Sequence, residues 1–168
     1  MLSDNYKNWI AILDIKTCKP CREEHGQIFE IDEHVMNEPP LHFYCRCKIE
    51  RMKAKLAGTA TFKLQDGADW YLKHFGNLPD YYITATEAFR AGWNPKSGNL
   101  NLKCPGKMLS GGVHKNRNGH LPSAIGRIWY EADINYFFGF RGNDRILFSN
   151  DGLVFVTYDH YKTFIEIV

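Results

Sequence analysis

A chain of 168 residues is long enough for one domain of ordinary size or for two small ones. Hydrophobic residues make up 44% of it and charged residues 24%, which is ordinary for a soluble globular protein, and no apolar run is long enough to predict a membrane span. The net charge is only +2, with acidic and basic residues balanced in both halves, so any nucleic-acid site must be a local cluster of cations.

The first part of the chain, residues 1–57, is rich in Cys, His and Pro and shows little periodicity. Residues 8–15 predict a strand, and residues 50–57 predict a short helix or linker that ends at Gly58. We therefore expect a small first domain over residues 1–57 and a second domain over residues 58–168. The N-terminus lacks a basic segment followed by an apolar one, so a cleaved secretion signal is not expected.

Four of the five cysteines lie in the first domain, beside histidines. The spacing Cys18-x2-Cys21 followed by His42-x2-Cys45 is typical of a four-ligand structural zinc site, because each turn presents two ligands to one tetrahedral ion. His25 and Cys47 are alternative ligands. A second interpretation stays open, in which reduced cysteines pack in a small core, and a disulfide is less favoured because the cysteines cluster.

Helical signals open the second domain. One apolar stripe predicts a first helix that begins near Asp66 and ends at Gly76; it consists of Ala68, Tyr71, Leu72 and Phe75. Thr84-Ala-Thr-Glu87 is a capping box, which predicts a second helix that stops at Gly92. Residues 94–126 are rich in Gly, Asn, Pro and Lys and predict long irregular loops with a third short helix.

From residue 128 onward, apolar residues recur at every second position, which is typical of strands. Residues 128–135 place Ile128, Tyr130, Ala132 and Ile134 on one face and the residues between them on the other. Residues 145–149 and 153–157 are strands joined by an Asn-Asp-Gly turn, and residues 163–167 form a last strand. Helices followed by strands predict an α+β domain in which helices pack on one face of an antiparallel sheet and the other face is free to bind.

Four side chains on or beside that free face form a candidate active site, namely Glu131, Arg141, Arg145 and His160. Cleavage of RNA through its own 2′-hydroxyl needs a base, an acid and cations that hold the phosphate, and no metal. Taken singly, each residue also has an ordinary structural interpretation. The glutamate would be a solvated strand residue, the histidine a surface loop residue, and the arginines an ion-pair cluster with Asp144.

From about residue 64 to the C-terminus the chain resembles barnase-type microbial ribonucleases. The resemblance rests on matched blocks in order: Leu-Pro-Asp-Tyr-Tyr-Ile-Thr at 78–84, Gly92-Trp93, Gly98-Asn99-Leu100, Pro105-Gly106-Lys107, Asn116-Arg117, Leu121-Pro122, Glu131-Ala-Asp-Ile-Asn-Tyr136, Gly139-Phe-Arg141, Asp144-Arg-Ile-Leu147 and Asp159-His-Tyr161 with Thr163-Phe164. It implies a metal-independent endoribonuclease with Glu131 as general base and His160 as general acid. It also implies that Arg141 and Arg145 bind phosphate, that Tyr161 lines the site, and that a 2′,3′-cyclic phosphate is formed.

The chain departs from that family's pattern at three positions. Ala85 replaces a lysine near the phosphate, Gly112 replaces an aspartate, and Asn118 replaces the glutamate that holds guanine. The base-reading loop is therefore predicted to bind substrate through His114, Asn116, Arg117 and Asn118, with guanine preference in doubt. His114 is a candidate for stacking on a base, although Asn-Arg-Asn-Gly is also simply a good turn.

The first domain resembles the C-terminal part of phage Mu-type minor head (MuF) proteins. The matching residues are Leu13-Asp14, Thr17-Cys-x-x-Cys21, His25-Gly26-x-x-Phe29 and Pro39-Pro40-x-His42-x-x-Cys45-Arg-Cys47. The resemblance implies a module carried by phages or by polymorphic toxins. It does not by itself imply zinc.

Together these features predict an endoribonuclease toxin, exported or phage-delivered, that acts in the cytoplasm of a target cell. Its expected partners are RNA, a small acidic barstar-like immunity protein, and a phage head or secretion apparatus. The alternative is a weakly active or inactive RNA-binding, virion-associated module, which the departures at Ala85, Gly112 and Asn118 favour. A zinc-dependent nuclease is disfavoured, because four protein ligands would leave no open position for water.

Overall fold

The chain divides between Ala54 and Lys55 into two units, in a computed structural model that describes residues 3–168. The predicted domain boundary lies a few residues further along, at Gly58, and stays a prediction. Among the described residues, no helix combines the length and the apolar composition that crossing a membrane requires.

The first unit is a small antiparallel sheet with one short helix. Strand β1 (Ser3–Ile10) pairs with both β2 (Ile28–Glu30) and β3 (Lys48–Lys55), and helix α1 spans Lys19–Glu24. Its core surrounds Trp9, which is fully buried and packs with Ala11, Cys21 and Val35. So small a core buries little apolar area and supplies limited stability.

The helix or linker predicted for residues 50–57 is wrong, because most of this segment belongs to strand β3. Glu, Arg, Lys and Ala are good helix formers, and they suggested a helix. Pairing with β1 overrides that preference, since it lets Ile49 pack against the Trp9 cluster and buries Ala54 completely. The strand predicted for residues 8–15 begins earlier and ends at Ile10.

The second unit begins with helices, as predicted. Helix α2 spans Ala68–Phe75, α3 spans Ala85–Arg90 and α4 spans Leu100–Lys103, with short 3-10 turns at Leu64–Asp66 and Pro95–Ser97. The capping box is confirmed, because the Glu87 amide donates to Thr84 Oγ1 at 3.2 Å while the Thr84 amide donates to Glu87 Oε2 at 2.7 Å. Gly76 ends α2 in the left-handed conformation.

The N-terminus of α2 differs from the prediction. Asp66 does not cap the helix; Gly67 takes that position, and the buried Asp69 accepts hydrogen bonds from the chain just before the helix. Its carboxylate binds the amides of Gly58 and Ala60 at 2.7 and 2.9 Å and the hydroxyl of Thr61 at 3.2 Å. These bonds fasten the start of the second unit to its first helix.

Six strands of the second unit lie side by side in the order β9-β8-β7-β6-β5-β4. They span Tyr82–Thr84 (β4), Met108–His114 (β5), Trp129–Asp133 (β6), Arg145–Ser149 (β7), Val154–Thr157 (β8) and Ile165–Ile167 (β9). All neighbours are antiparallel except β4 and β5, which are parallel. The predicted α+β class is confirmed, but β5 corrects the prediction of irregular loops over residues 94–126.

The two faces of this sheet are covered differently. Helix α2 packs through Ala68 and Leu72 on a core that includes Ala132, Ile146 and Val156. The opposite face was expected to be free, yet Leu121, Trp129 and Leu147 are buried there under loops. The solvent-accessible part of this face is therefore limited to the region next to Leu147 in which β6 and β7 carry polar side chains.

Candidate active site

Strand β6 supplies two carboxylates to the polar part of this face. Because side chains alternate along a strand, Glu131 and Asp133 point to the same side, and Ala132 between them enters the core. The register with β7 pairs Glu131 with Leu147 and Asp133 with Arg145. A carboxylate and a guanidinium thus lie directly opposite each other on neighbouring strands.

Asp133 holds both predicted phosphate ligands. It is nearly buried, at 3% side-chain exposure, and takes a bidentate pair of hydrogen bonds from Arg141 Nε and Nη2 at 2.6 and 2.7 Å. These bonds keep the pKa of Arg141 above its usual value. Arg145 Nε lies 3.0 Å from Asp133 Oδ1 but is not directed at it. Two cations therefore share one buried anion.

Arg145 lies opposite Asp133, on the face that carries Glu131, but its side chain is buried there. Its Nη1 donates to the carbonyls of Gly142 and Asp144 at 2.7 and 2.8 Å. In the described part of the chain its Nε–H has no acceptor in hydrogen-bond geometry. The guanidinium is thus held in place through Nη1, while its buried Nε–H is left without a partner.

Glu131 is bound on one oxygen by two neighbouring rings. His114 Nδ1 lies 2.8 Å from Glu131 Oε2, and the hydroxyl of Tyr161 donates to the same oxygen at 3.1 Å. The rings of His114 and Tyr161 stack with centroids 5.4 Å apart. Burial, together with the charge of Glu131, raises the pKa of Tyr161 to about 12, so its hydroxyl stays protonated and donates at neutral pH.

His160 lies next to Tyr161 on the loop between β8 and β9. Its exposed ring is 4.9 Å from that of Tyr161, centroid to centroid. Both residues have left-handed backbone, with φ of 57° and 69°, which is unfavourable for side chains of this size. The structure therefore brings Glu131 and His160 against the same tyrosine, and Arg141 and Arg145 against the same aspartate.

Asp159 holds this loop in its unusual conformation. One oxygen, Oδ1, accepts from the Thr157 hydroxyl and from the amides of Lys162 and Thr163, all within 3.0 Å, and Oδ2 accepts from the Thr163 hydroxyl at 2.6 Å. Hydrogen bonds from Thr163 lower the pKa of Asp159 to about 2. The carboxylate is therefore ionised throughout the neutral range.

The predicted base-reading loop borders a cleft of about 280 Å³ beside the two rings. Asn116 uses its side-chain amide within the loop, because it accepts from the Leu121 amide at 3.1 Å and donates to the Leu121 carbonyl at 2.8 Å. Its direct contact with substrate stays a prediction. The other residues that line the cleft are His114, Lys115, Arg117, Asn118, His120, Tyr161 and Phe164.

The first unit gathers five metal-ligating side chains. His42 Nε2 lies 3.2 Å from Cys18 Sγ and 3.5 Å from Cys21 Sγ, and Cys21 Sγ lies 3.9 Å from Cys45 Sγ. Ligand atoms around a tetrahedral zinc lie roughly 3.5–3.8 Å apart, given bonds of about 2.3 Å to sulfur and 2.0 Å to nitrogen. Cys47 lies close enough to Cys21 and Cys45 to share a metal ion with them. His25 accepts a hydrogen bond from the Ala11 amide, and among the described residues it belongs to no group that could hold a metal ion.

The five side chains of this cluster differ in protonation, because burial raises the pKa of Cys21 and of Cys47 while hydrogen bonds lower that of two other thiols. His42 Nδ1–H donates to the Phe43 carbonyl at 2.9 Å, which leaves Nε2 free to accept or to ligate. Burial opposes ionisation of Cys45, but hydrogen bonds from the Cys47 and Leu41 backbone outweigh it and lower the pKa of that thiol to about 7. A backbone hydrogen bond from Cys21 lowers the pKa of Cys18 as well.

Comparison with known proteins assigns both units. A family model described as ribonuclease matches residues 56–168, which is more than half of the chain. This chain belongs to the ribonuclease family. A second model, described as Phage Mu protein F like protein, matches residues 2–50. Both predicted resemblances are confirmed, and so is the assignment as an RNA-cleaving enzyme.

Individual ribonucleases match part of the chain. The ribonuclease of Heyndrickxia coagulans is 51% identical over 102 residues, which cover 61% of this chain and 94% of that protein. The ribonuclease of Bacillus intermedius is also 51% identical over 102 residues, but the match spans only 63% of its length. A crystal structure of ribonuclease Sa2 with guanosine-2′-cyclophosphate matches 35% of this chain and 63% of that one at 32% identity, with a TM-score of 0.32.

Two residues of this ribonuclease site were missed by sequence reasoning. Asp133 was placed on the same face as Glu131 but given no role, and the ion-pair alternative for the arginines named Asp144, which lies between them in sequence. The strand register instead pairs Asp133 with Arg145. Asp159 was noted only as a neighbour of His160. A Thr-x-Asp-x-x-x-Thr pattern around it, typical of an Asx-type turn, is the signal that identifies it.

Replacement of Asp159 by Asn tests the role of the loop. Asn offers a single acceptor oxygen for the four donors, so the backbone of His160 and Tyr161 is no longer held in place. Because these two side chains are then misplaced, kcat for RNA cleavage should fall roughly 10–100-fold. Steady-state kinetics on an RNA oligonucleotide measures this. Asp151→Asn, in an exposed turn of the same unit, is the matched control. Unchanged kcat in a folded Asp159→Asn chain would contradict the role.

Proposed function

We propose that the second unit cleaves RNA by transesterification, with Glu131 as general base and His160 as general acid. The observation that carries this proposal is that both side chains contact one ring, Tyr161, at a polar surface bordered by two arginines. A carboxylate and an imidazole at one site can hold and deliver protons near neutral pH. No step of this reaction requires a metal.

The proposed reaction proceeds in two steps. Glu131 accepts the proton of the 2′-hydroxyl while the 2′-oxygen bonds to phosphorus, the bond to the 5′-oxygen breaks, and protonated His160 donates its proton to that oxygen. The product is a 2′,3′-cyclic phosphate. Water then attacks the phosphorus with the two roles reversed: His160 takes the proton of water, and Glu131 returns its proton to the departing 2′-oxygen.

Arg141 and Arg145 are proposed to hold the scissile phosphate. Asp133 neutralises only one of the two guanidiniums, so the pair keeps a surplus positive charge. Guanidinium N–H groups bind phosphate oxygens well, and Arg141 keeps about a third of its side chain exposed at this surface. The same contacts would stabilise the extra negative charge that develops as the 2′-oxygen attacks.

Base recognition is proposed to occur in the cleft beside His114 and Tyr161. Asn118 offers one acceptor and one donor where a carboxylate offers two acceptors, so it cannot bind both donors of a guanine edge. Arg117 and Lys115 add positive charge to the cleft rim and suit the RNA backbone. The proposal is therefore a single-stranded RNA substrate with weaker discrimination for guanine than the family pattern implies.

Removal of either titrating group tests the catalytic assignment. Glu131→Gln and His160→Gln should each lower kcat/KM for an RNA oligonucleotide by roughly 10²–10⁴-fold, and EDTA should leave wild-type cleavage intact. Product analysis of the wild type should show the cyclic phosphate. Glu38→Gln and His34→Gln, both exposed in the first unit, are matched controls.

Cleavage that persists in both variants would refute the assigned roles. Loss of wild-type cleavage in EDTA would refute metal independence. Intact RNA after long incubation with the wild type, together with retained RNA binding, would instead support the alternative of an inactive RNA-binding module.

We further propose that the chain is a toxin, exported or phage-delivered, whose ribonuclease unit acts in the cytoplasm of a target cell. The support is the fusion of a phage-type unit to an enzyme that damages any cell in which it is active. A producing cell would then need an inhibitor. The exposed cations at the site, Arg141 with Lys115 and Arg117, favour a small acidic protein that associates quickly and with strong salt dependence.

Expression inside a bacterial cell tests the toxin proposal. The wild-type chain should stop growth and degrade total RNA, whereas Glu131→Gln, produced at an equal level, should not. Growth curves with RNA gels measure both. Normal growth with wild-type protein that is active after purification would count against a toxin.

We propose that the cysteine cluster of the first unit holds a structural zinc ion through Cys18, Cys21, His42 and Cys45, with Cys47 as the alternative fourth ligand. Cys18, Cys21 and His42 lie close enough together to share one ion, Cys21 forms a second such group with Cys45 and Cys47, and the four cysteines belong to the small Trp9 core. A core of this size gains much of its stability from such an ion.

Metal analysis of the full chain tests the zinc proposal. About one zinc per chain is expected, with less than half of that in Cys18→Ser and in His42→Ala, and a lower unfolding temperature for the first unit. Cys104→Ala, in the second unit, should keep the full zinc content. A zinc-free chain with unchanged unfolding would show that the cysteines simply pack as reduced thiols.

A further inference from the structure

His114 is the one imidazole in the described structure that contacts the carboxylate of Glu131 directly. It ends strand β5, beside β6, and its Nδ1 lies 2.8 Å from Glu131 Oε2. Since an ionised carboxylate only accepts hydrogen bonds, the proton lies on Nδ1. Both side chains are about one-fifth exposed, so the bond is largely shielded from water. It is therefore stronger than a comparable bond on the surface.

The two oxygens of Glu131 have different surroundings. Oε2 receives both donors, Nδ1 of His114 and the hydroxyl of Tyr161, whereas Oε1 accepts no hydrogen bond from the described residues. The side chain lies against Gly111, where an added Cβ would approach Glu131 Cγ to 2.9 Å and Oε1 to 3.1 Å. Gly111 thus leaves room for this orientation of the carboxylate.

We propose that His114 is a positioning residue for Glu131. Its Nδ1–H holds Oε2 through one short bond, fixes the rotation of the carboxylate, and leaves Oε1 as the oxygen that takes the 2′-proton. The stack of His114 on Tyr161 keeps both donors aimed at the same atom. This inference rests on the proposed role of Glu131 as base.

Two substitutions separate the donor from the ring. His114→Asn keeps an N–H donor near the position of Nδ1 but removes the ring, whereas His114→Phe keeps a stacking ring but removes the donor. If the donor matters, His114→Phe should lose roughly 10–100-fold in kcat with little change in KM, and His114→Asn should recover kcat to within about threefold of wild type. His74→Phe, on α2 of the same unit, is the matched control.

The opposite ranking would overturn the proposal. A His114→Phe chain with near wild-type kcat, beside a His114→Asn chain with raised KM, would show that the ring serves only to stack on a base. If both variants lose the same factor in kcat and the same free energy of unfolding, His114 has a structural role only. If both variants keep the wild-type kcat, His114 does not position Glu131.

A double-mutant cycle separates this inference from the proposed function. If His114 acts through Glu131, His114→Phe should cost less than about threefold in a Glu131→Gln background, because the group that it positions is gone. If His114→Phe lowers kcat by the same factor in the Glu131→Gln background as in the wild type, the positioning role is overturned. Wild-type cleavage and its loss in Glu131→Gln alone test the base assignment, so a failure of that assignment is visible without any His114 variant.

Discussion

The site depends on one buried carboxylate that neutralises two cations incompletely. Asp133 is nearly inaccessible to solvent, and both Arg141 and Arg145 lie against it. Without this anion, burial of Arg145 would cost several kcal/mol, because its charge would be removed from water uncompensated. With it, the charge of the buried Arg145 is compensated, while Arg141 stays partly exposed at the polar surface. The proposed attraction for phosphate therefore rests on these local cations and not on the overall field of a chain whose net charge is +2.

The two proposed proton carriers are held by different means. Glu131 projects from β6, two residues from Asp133, so the distance between the base and the cation pair is fixed by the strand itself. His160 lies on a loop whose left-handed backbone costs energy and is maintained by Asp159. The acid is therefore more exposed and depends on a few hydrogen bonds, while the base depends on the sheet. Tyr161 joins the two parts because it follows His160 in the loop and donates to Glu131.

Patterns within single segments of the sequence predicted the helices and strands that such patterns determine. They could not predict which residues contact each other across neighbouring strands. The period of two placed Glu131 and Asp133 on one face, and the Thr84 capping box located α3 correctly. Strand β5 was missed because Gly111 and Gly112 interrupt its alternation, and a register shift occurs there. The contact between His114 and Glu131 depends on that shifted register. Likewise, the face opposite α2 was thought free because Leu121, which packs with Leu147 and Trp129, lies in a loop without a periodic pattern.

The three departures from the family's pattern have a common electrostatic consequence. Ala85 removes one positive charge, while Gly112 and Asn118 each remove a negative one, so the site becomes no less positive than the pattern implies. Gly112 pairs with Glu131 across the sheet and has a φ of 82°, which favours glycine over aspartate at that position. By the resemblance, the proposed attraction for phosphate would be retained, while the carboxylate expected to hold guanine is absent. These substitutions should therefore relax the choice of base more than they weaken the binding of the RNA backbone, because the two depend on different charges.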